Sequence, residues 1–286
     1  MRLVAVVLSW NGREDTLAAL ESLRGIPAVV VDNGSTDGSA EAVAERFPDV
    51  ELIRTGVNLG FAAGNNVGIR RALERGADWV LLLNNDATVE PGLVDALDAA
   101  VAARPDAGVL ACKVLFAGDD RLWYAGATWH PLLGRSRHHG FGEPDEPGAL
   151  SDTDRATGAA MAVSRAAIEQ AGLLDEELFL YAEDLEWCLR IREAGFAVVY
   201  VPDARVRHRV SASAGGAGSP TTAYYETRNV LAVAERHRPL PRGLTGARRA
   251  AVVAPRVLLA ARRPASAWAA VRGWRDYRRG RMGRRG

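Results

Sequence analysis

The chain has 286 residues, 48% of them hydrophobic and 25% charged, with a formal net charge of +1. That length buries a full core as one large domain or two small ones. No run of 18 or more uncharged apolar residues occurs, so no membrane-spanning helix is expected. Cys112 and Cys188 lie far apart, with no metal-type spacing and no need of a disulfide, which points to a reduced, cytosolic protein. Charge is unevenly spread. From Arg242 onward there are 13 arginines and one acid, Asp276, a net +12, which leaves about −11 on the first 241 residues.

The opening MRLVAVVLSWNG lacks a small-residue cleavage site and runs straight into a strand–helix unit, so it reads as a first core strand rather than a signal peptide. The pattern predicts a strand over Leu3–Ser9, then a helix over Arg13–Arg24 with Leu17, Leu20 and Leu23 on one side. A second strand, Ala28–Val31, ends in Asp32-Asn33-Gly34. A helix over Ser39–Phe47, a short strand Val50–Arg54, a helix Ala62–Arg75 and a strand Asp78–Leu83 follow. Pro91 suits the first turn of a helix running to about Ala103. This alternation predicts a parallel sheet with helices on both faces, whose ligands bind beyond the carboxyl ends of the strands. Three polar clusters fall there: Ser9-Trp10-Asn11-Gly12, Val31–Ser39 and Asn84-Asn85-Asp86.

The second half changes texture. Trp123–Gly142 is aromatic and glycine-rich, a hairpin or long loop, and Glu143–Asp154 is an acidic surface loop. A strand is expected over Thr157–Ser164 and a short helix over Arg165–Ala171. Tyr181–Ala194 is a strong helix, acidic at its start and basic near its end, stopped by Gly195. Phe196–Val201 and Ala204–Arg209 read as two strands, Ser211–Ser219 as a mobile loop and Tyr224–Arg236 as a helix.

Each cluster carries a plain reading and a chemical one. Asp86 is either a turn former or a cation ligand at the sheet rim. Asp32 either closes an Asx turn or accepts from the ring N–H of a uracil or thymine. Gly56–Arg70, GVNLGFAAGNNVGIR, is a tight capped loop or a place where backbone approaches a ligand; it matches neither a Walker loop nor GxGxxG. Glu183 and Asp184 either complement a helix dipole or supply a general base. His208 is structural, a metal ligand or a phosphate contact. Arg228 and Asn229 are further candidates, whose plain reading is a solvated face, and Tyr224 and Tyr225 read as core or as a sugar-stacking pair. His138 and His139 have no partner spacing.

In order, VVLSWNG, VVVDNGSTDGS, NLGFAAGNNVG, LLLNND, TGAAM, FLYAEDLEWCLRIREAG, VRHR and YYETRN resemble glycosyltransferase family 2, most of all its rhamnosyltransferase-like branch, over about Leu3 to Asn229. The resemblance implies an α/β GT-A fold: a Rossmann-like nucleotide-binding half (about 1–110) fused to an acceptor half (about 111–240) around a mostly parallel mixed sheet, followed by an Arg-rich helical appendage (241–286). It implies inverting transfer of a sugar, L-rhamnose from dTDP-rhamnose before a UDP-sugar, to a hydroxyl acceptor that is lipid-linked, a polysaccharide or a small molecule. It assigns Asp184, with Glu183 beside it, as base. Ser9, Asn11, Asp32, Asn58, Gly60, Asn65, Asn85, Thr157 and Gly158 fall to nucleotide and donor, and Asp86 and His208 to Mg²⁺ or Mn²⁺. One departure stands out: the "DXD"-type motif holds a single carboxylate, so the sugar diphosphate and water must complete the metal shell. An inactive nucleotide-sugar scaffold would predict a damaged base or metal motif, yet both Asp86 and Asp184 are present.

In Gly243–Gly286, Arg alternates with Ala, Val, Leu and Trp, as two short helices around Pro264. Such faces suit the anionic inner surface of the cell membrane, docking onto the catalytic domain, or a solvated tail. Without aromatics on a sheet face or a known module, a nucleic-acid partner is not expected.

Overall fold

The computed structural model describes residues 1–210, 218–259 and 263–285. The expected mobile loop Ser211–Ser219 lies mostly outside them. Strand β1 (Leu3–Ser9) is buried along its whole length, as are β2 (Ala28–Asp32) and the apolar part of β4 (Trp79–Asn84). Helices α1 (Arg13–Ser22), α2 (Ser39–Arg46) and α3 (Phe61–Glu74) alternate with these strands and with β3 (Glu51–Arg54). The parallel order β3-β2-β1-β4 places the reversal of strand order between β1 and β4. Their carboxyl ends, Ser9 and Asn84, therefore flank the crevice where such sheets bind ligands. Helix α3 lies so close to β1 that Gly64 and Gly68 are required. A Cβ on Gly64 would come within 2.6 Å of Leu8 Cδ1, and one on Gly68 would collide with Val6 Cγ1.

Beyond β4 come a short strand β5 (Ala87–Val89), helix α4 (Leu93–Ala103) and the ten-residue strand β6 (Ala107–Phe116), nine of whose residues are buried. Then come β7 (Leu122–Tyr124), the hairpin β8 (Ala127–His130) with β9 (Arg135–His138), and β10 (Ser151–Asp152). Next are β11 (Ala160–Ser164), α5 (Arg165–Ala171), a 3₁₀ turn Glu176–Leu178, α6 (Glu183–Glu193) and β12 (Ala197–His208). β11 runs antiparallel to both β4 and β6, and β12 parallel to β6, so the two halves share one mixed sheet.

Three expectations change. The predicted strand Thr157–Ser164 begins only at Ala160, because Thr157 and Gly158 turn into the site. The predicted helix from Tyr181 begins at Glu183, because Tyr181 and Ala182 have φ of 68° and 69°. The two strands predicted around Pro202 are one strand, bulged between Val201 and Arg205. A proline without an N–H is tolerated at such a bulge.

The C-terminal segment packs on the domain. Helices α7 (Pro220–His237), α8 (Arg242–Leu259) and α9 (Pro264–Arg278) lie together. Tyr224 Oη donates to Asp276 Oδ2 at 2.9 Å, and a Cβ on Gly273 would collide with the Tyr224 carbonyl. No helix among the described residues is long and apolar enough to cross a membrane.

Candidate active site

The loops after β1, β2 and β4 are fastened to one another. Asn11, with φ 60°, receives a hydrogen bond from Thr36 N on its Oδ1 (2.9 Å), and its own N–H donates to Ser35 Oγ (2.9 Å). Asn85 Nδ2 crosses the crevice to Asn11 O (2.9 Å) and Thr16 Oγ1 (3.1 Å). Ser9 is buried with its hydroxyl 2.9 Å from that of Thr16. Asp32 is also buried, and its Oδ1 accepts from Ser35 N at 3.2 Å.

Asn33, not singled out in the sequence, holds the next loop. Its Nδ2 donates to Gly60 O (3.1 Å) and Asn58 Oδ1 (3.3 Å), while its Oδ1 accepts from Leu59 N (2.9 Å). Gly60 has φ 88°, and a Cβ there would collide with the ring and carbonyl of Phe179. The loop between β3 and α3 thus touches the segment leading to the carboxylates. Asn65 instead turns back to Phe61 O within its own helix, at 3.0 Å.

Asp184 is the centre of the second cluster. Arg155 Nη2 donates to its Oδ2 at 2.6 Å, Gly158 N donates to the same oxygen at 3.0 Å, and Leu185 N donates to Oδ1 at 2.7 Å. Arg155 was not singled out in the sequence; its pairing fixes the carboxylate's orientation. Thr157 is buried in the same turn, and Ala159 N donates to its hydroxyl. Glu183 is buried too, and its Oε2 has no hydrogen-bond partner among the described residues. Burial, then the charge of Asp184, pushes its pKa up to about 8, so this carboxyl is protonated at neutral pH.

Asp86 follows β4 and meets His208 at the end of β12, with Asp86 Oδ1 and His208 Nε2 2.9 Å apart. β5 pairs antiparallel with β12, setting Ala87 opposite His208. The Trp123 ring packs edge-on against His208 at 4.9 Å, and the buried His208 Nδ1 has no partner among the described residues. Most buried polar atoms in folded proteins have a hydrogen-bond partner, so this nitrogen stands out. The Asp86 cluster and the Asp184 cluster are neighbours. Asn84 N donates to Ala159 O at 3.0 Å, so the turn that binds Asp184 through Gly158 lies against the end of β4.

The carboxylates are presented by a strained backbone. Phe179, Tyr181 and Ala182 all have φ between 60° and 69°. Such left-handed residues persist only where surroundings hold them. Asn229 Nδ2 donates to the carbonyls of Leu178, Leu180 and Tyr181 at 2.7–2.8 Å, and its Oδ1 accepts from Arg228 Nε. Both side chains are buried, so the solvated-face reading of Arg228 and Asn229 is wrong. Tyr224 and Tyr225 are core, with Tyr225 stacked on Phe179 at 5.3 Å. His138 lies against the rings of Trp123 and Tyr124, and burial, with the nearby Arg155 charge, pushes its pKa down to about 4.

Known proteins place this arrangement. The profile of the glycosyltransferase-like family 2 matches residues 18–229. An N-acetylglucosaminyl-diphospho-decaprenol L-rhamnosyltransferase of Mycobacterium tuberculosis is 32% identical over 77% of this chain and 78% of its own. The dTDP-rhamnosyl transferase RfbF of Shigella flexneri is 29% identical over 82% of this chain and 81% of its own. Among solved structures, a mannosyltransferase from Pyrobaculum calidifontis in complex with GDP-Man and Mn²⁺ superposes with a TM-score of 0.58 at 21% identity, covering 98% of this chain and 83% of that one. S. aureus TarS in complex with UDP-GlcNAc gives 0.59 at 14% identity, covering 98% and 92%. The chain belongs to glycosyltransferase family 2, in its rhamnosyltransferase-like branch, and is a glycosyltransferase of the GT-A fold.

Proposed function

We propose that this enzyme is metal-dependent and inverting, and moves L-rhamnose from dTDP-L-rhamnose to a hydroxyl of a lipid-linked acceptor in cell-envelope glycan synthesis. The observation that carries this reading is the Thr157–Ala159 turn. It bonds Asp184 through Gly158 and the end of β4 through Ala159, so a carboxylate base and the Asp86–His208 pair lie beside one crevice. The printed names of the two relatives support the donor and, for the mycobacterial one, a diphospholipid acceptor.

In this reading Asp32 accepts from the thymine N–H, while Ser9 and Asn11 position the nucleotide. Asn58, Gly60, Asn65 and Asn85 shape the walls around ribose and diphosphate, and Thr157 and Gly158 border the donor sugar. Asp184, oriented by Arg155, takes the proton of the acceptor hydroxyl. The freed oxygen bonds to the anomeric carbon from the face opposite the diphosphate as the carbon–diphosphate bond breaks, which inverts the centre. Glu183, kept neutral, does not compete with Asp184 for that proton. Mg²⁺ or Mn²⁺ would be held by Asp86 and His208, with donor phosphate and water completing its shell; no group of three His, Cys, Asp or Glu forms among the described residues. Such an ion supplies charge neutralisation at the leaving diphosphate. Work on a lipid-linked acceptor would place the enzyme at the inner face of the cell membrane, with the Arg-rich C-terminal helices toward anionic lipid.

A thermal-shift panel of dTDP, dTDP-rhamnose, UDP and UDP-sugars, with and without Mn²⁺ or Mg²⁺, tests this. A ligand of the native state raises Tm by mass action. Stabilisation by dTDP species that metal augments is the expected result. Stabilisation by UDP species alone overturns the rhamnose donor, and no shift from any nucleotide in a folded sample overturns nucleotide-sugar chemistry at this site.

A further inference from the structure

The C-terminal helices enclose a cavity that the transfer chemistry does not use. Pro220 at the start of α7, Trp268, Ala269, Arg272 and Arg275 of α9, and Arg285 line a space of about 350 Å³. Its walls are anchored. Ser266 Oγ donates to Gly218 O at 2.7 Å, Arg285 N donates to Tyr225 Oη at 2.8 Å, and the Arg285 guanidinium lies 5.0 Å above the Tyr224 ring. Arg275 sits 5.6 Å over the ring of Trp268, which is 64% exposed.

Charge here is one-sided. Residues 263–285 hold eight arginines and one acid, Asp276. Asp276 accepts from Tyr224 Oη, and its carboxylate is 4.0 Å from Arg272 and 3.8 Å from Arg281, so it offsets little of that charge. Guanidinium groups match phosphate oxygens in a two-pronged geometry. An exposed Trp beside them suits the level of lipid headgroups, where an amphipathic ring has both surroundings it needs. Pro220 and Ala269 add apolar surface to the lining. Leu258 of α8, 73% exposed, adds apolar surface to the same C-terminal segment.

We infer that this cavity binds the phosphate of a membrane lipid, through Arg275 and Arg285 with Trp268 at the rim. The site deepens the membrane-surface reading of the C-terminal helices and rests on it for the choice of a lipid over a soluble anion. It lies one layer from the reaction centre. Tyr225, bonded to Arg285, stacks on Phe179, the residue that closes on Gly60. A headgroup held there sets the crevice close to the bilayer surface.

The test is flotation of the full chain with phosphatidylcholine vesicles, with and without phosphatidylglycerol. The double variant Arg275→Ala/Arg285→Ala is compared with Arg278→Ala/Arg279→Ala, which removes equal charge from the same segment but from residues that do not line this cavity. The first pair should weaken binding to the anionic vesicles about thirtyfold, at about a factor of five per arginine, and the second less than about threefold. Equal losses from the two pairs would mean diffuse attraction and overturn the site. Inorganic pyrophosphate that raises Tm through Arg275 and Arg285, with no vesicle binding, would assign a soluble anion and overturn the lipid. Absence of both responses overturns any phosphate site. Glycosyl transfer is not a readout, and an unchanged nucleotide-induced thermal shift in both variants shows that the donor site is intact, so failure here is distinct from failure of the proposed chemistry.

Discussion

The two halves of the sheet present their polar groups by different means. In the N-terminal half, Ser9, Asp32 and Asn84 stand at the last positions of parallel strands, and bonds between the loops that follow tie them together. Topology alone brings them to one rim. In the C-terminal half, Asp184 follows a left-handed segment, and one buried side chain, Asn229, braces three carbonyls of that segment. The first arrangement follows from strand order, whereas the second hangs on that brace, so one substitution should do more damage there.

The largest expected effect is at the base. Asp184→Asn keeps size and shape but cannot take a proton, so transfer should fall about 10²–10⁴-fold. The dTDP-induced thermal shift should survive, since the donor is bound elsewhere. Near-normal turnover would remove Asp184 from the role. In the other half, Asp86→Ala should abolish the response of activity to metal titration and raise the donor KM about tenfold, the loss of one charged ligand to a shell shared with the diphosphate. An unchanged metal titration would sink the ligand role of Asp86.

The same contrast governs what the sequence shows. Leu3–Ser9 and Asp78–Leu83 are visible because an apolar run breaks abruptly into polar residues, the mark of a buried strand leaving the core. The rim formed after β1, β2 and β4 is legible for that reason. β6 is not, because Lys113 interrupts its apolar run. The interruption is explained by partners distant in sequence, the Asp145 carboxylate at 2.6 Å and the Glu146 carbonyl at 2.9 Å. β5 exists only through its pairing with β12. Arg155, Arg228 and Asn229 are equally unreadable, as their partners are distant in sequence and nothing local separates a buried arginine from a solvated one. The late start of α6 was hidden for another reason: Tyr181 and Ala182 have ordinary helix-compatible identities but are forced out of the helix by contacts from α7.

Stability measurements sharpen the comparison. Asn229→Ala removes three bonds to carbonyls of the strained segment and should cost about 3 kcal/mol, at about 1 kcal/mol per bond, with a loss of kcat because Asp184 is no longer presented. A solvated Asn would give neither. Gly60→Ala should cost about 2 kcal/mol or more, from the left-handed backbone and the collision with Phe179 together. Gly38→Ala, at an ordinary left-handed φ of 81° and ψ of 12° with open space around its Cβ, should cost only about 1 kcal/mol. Equal costs at the two glycines would mean that neither the backbone of Gly60, with ψ 178°, nor its contact with Phe179 adds strain.

The remaining contrast is the pH dependence of Glu183. Its native pKa of about 8 stands above the ordinary value of 4.5, because burial and then Asp184 disfavour a second charge. Between those two values the native state holds a proton that the unfolded chain has released. Stability from this group is therefore present at low pH and is lost as pH rises toward 8. Glu183→Gln keeps a neutral side chain of the same shape at every pH. The variant and the wild type should melt together near pH 5, and the variant should melt higher at pH 8, by about 2–4 °C for each kcal/mol of repulsion removed. A gap that does not open across this range would mean that Glu183 is ionised throughout. The two carboxyls would then no longer be divided into one neutral and one charged, and the choice of Asp184 over Glu183 as base would lose its physical ground.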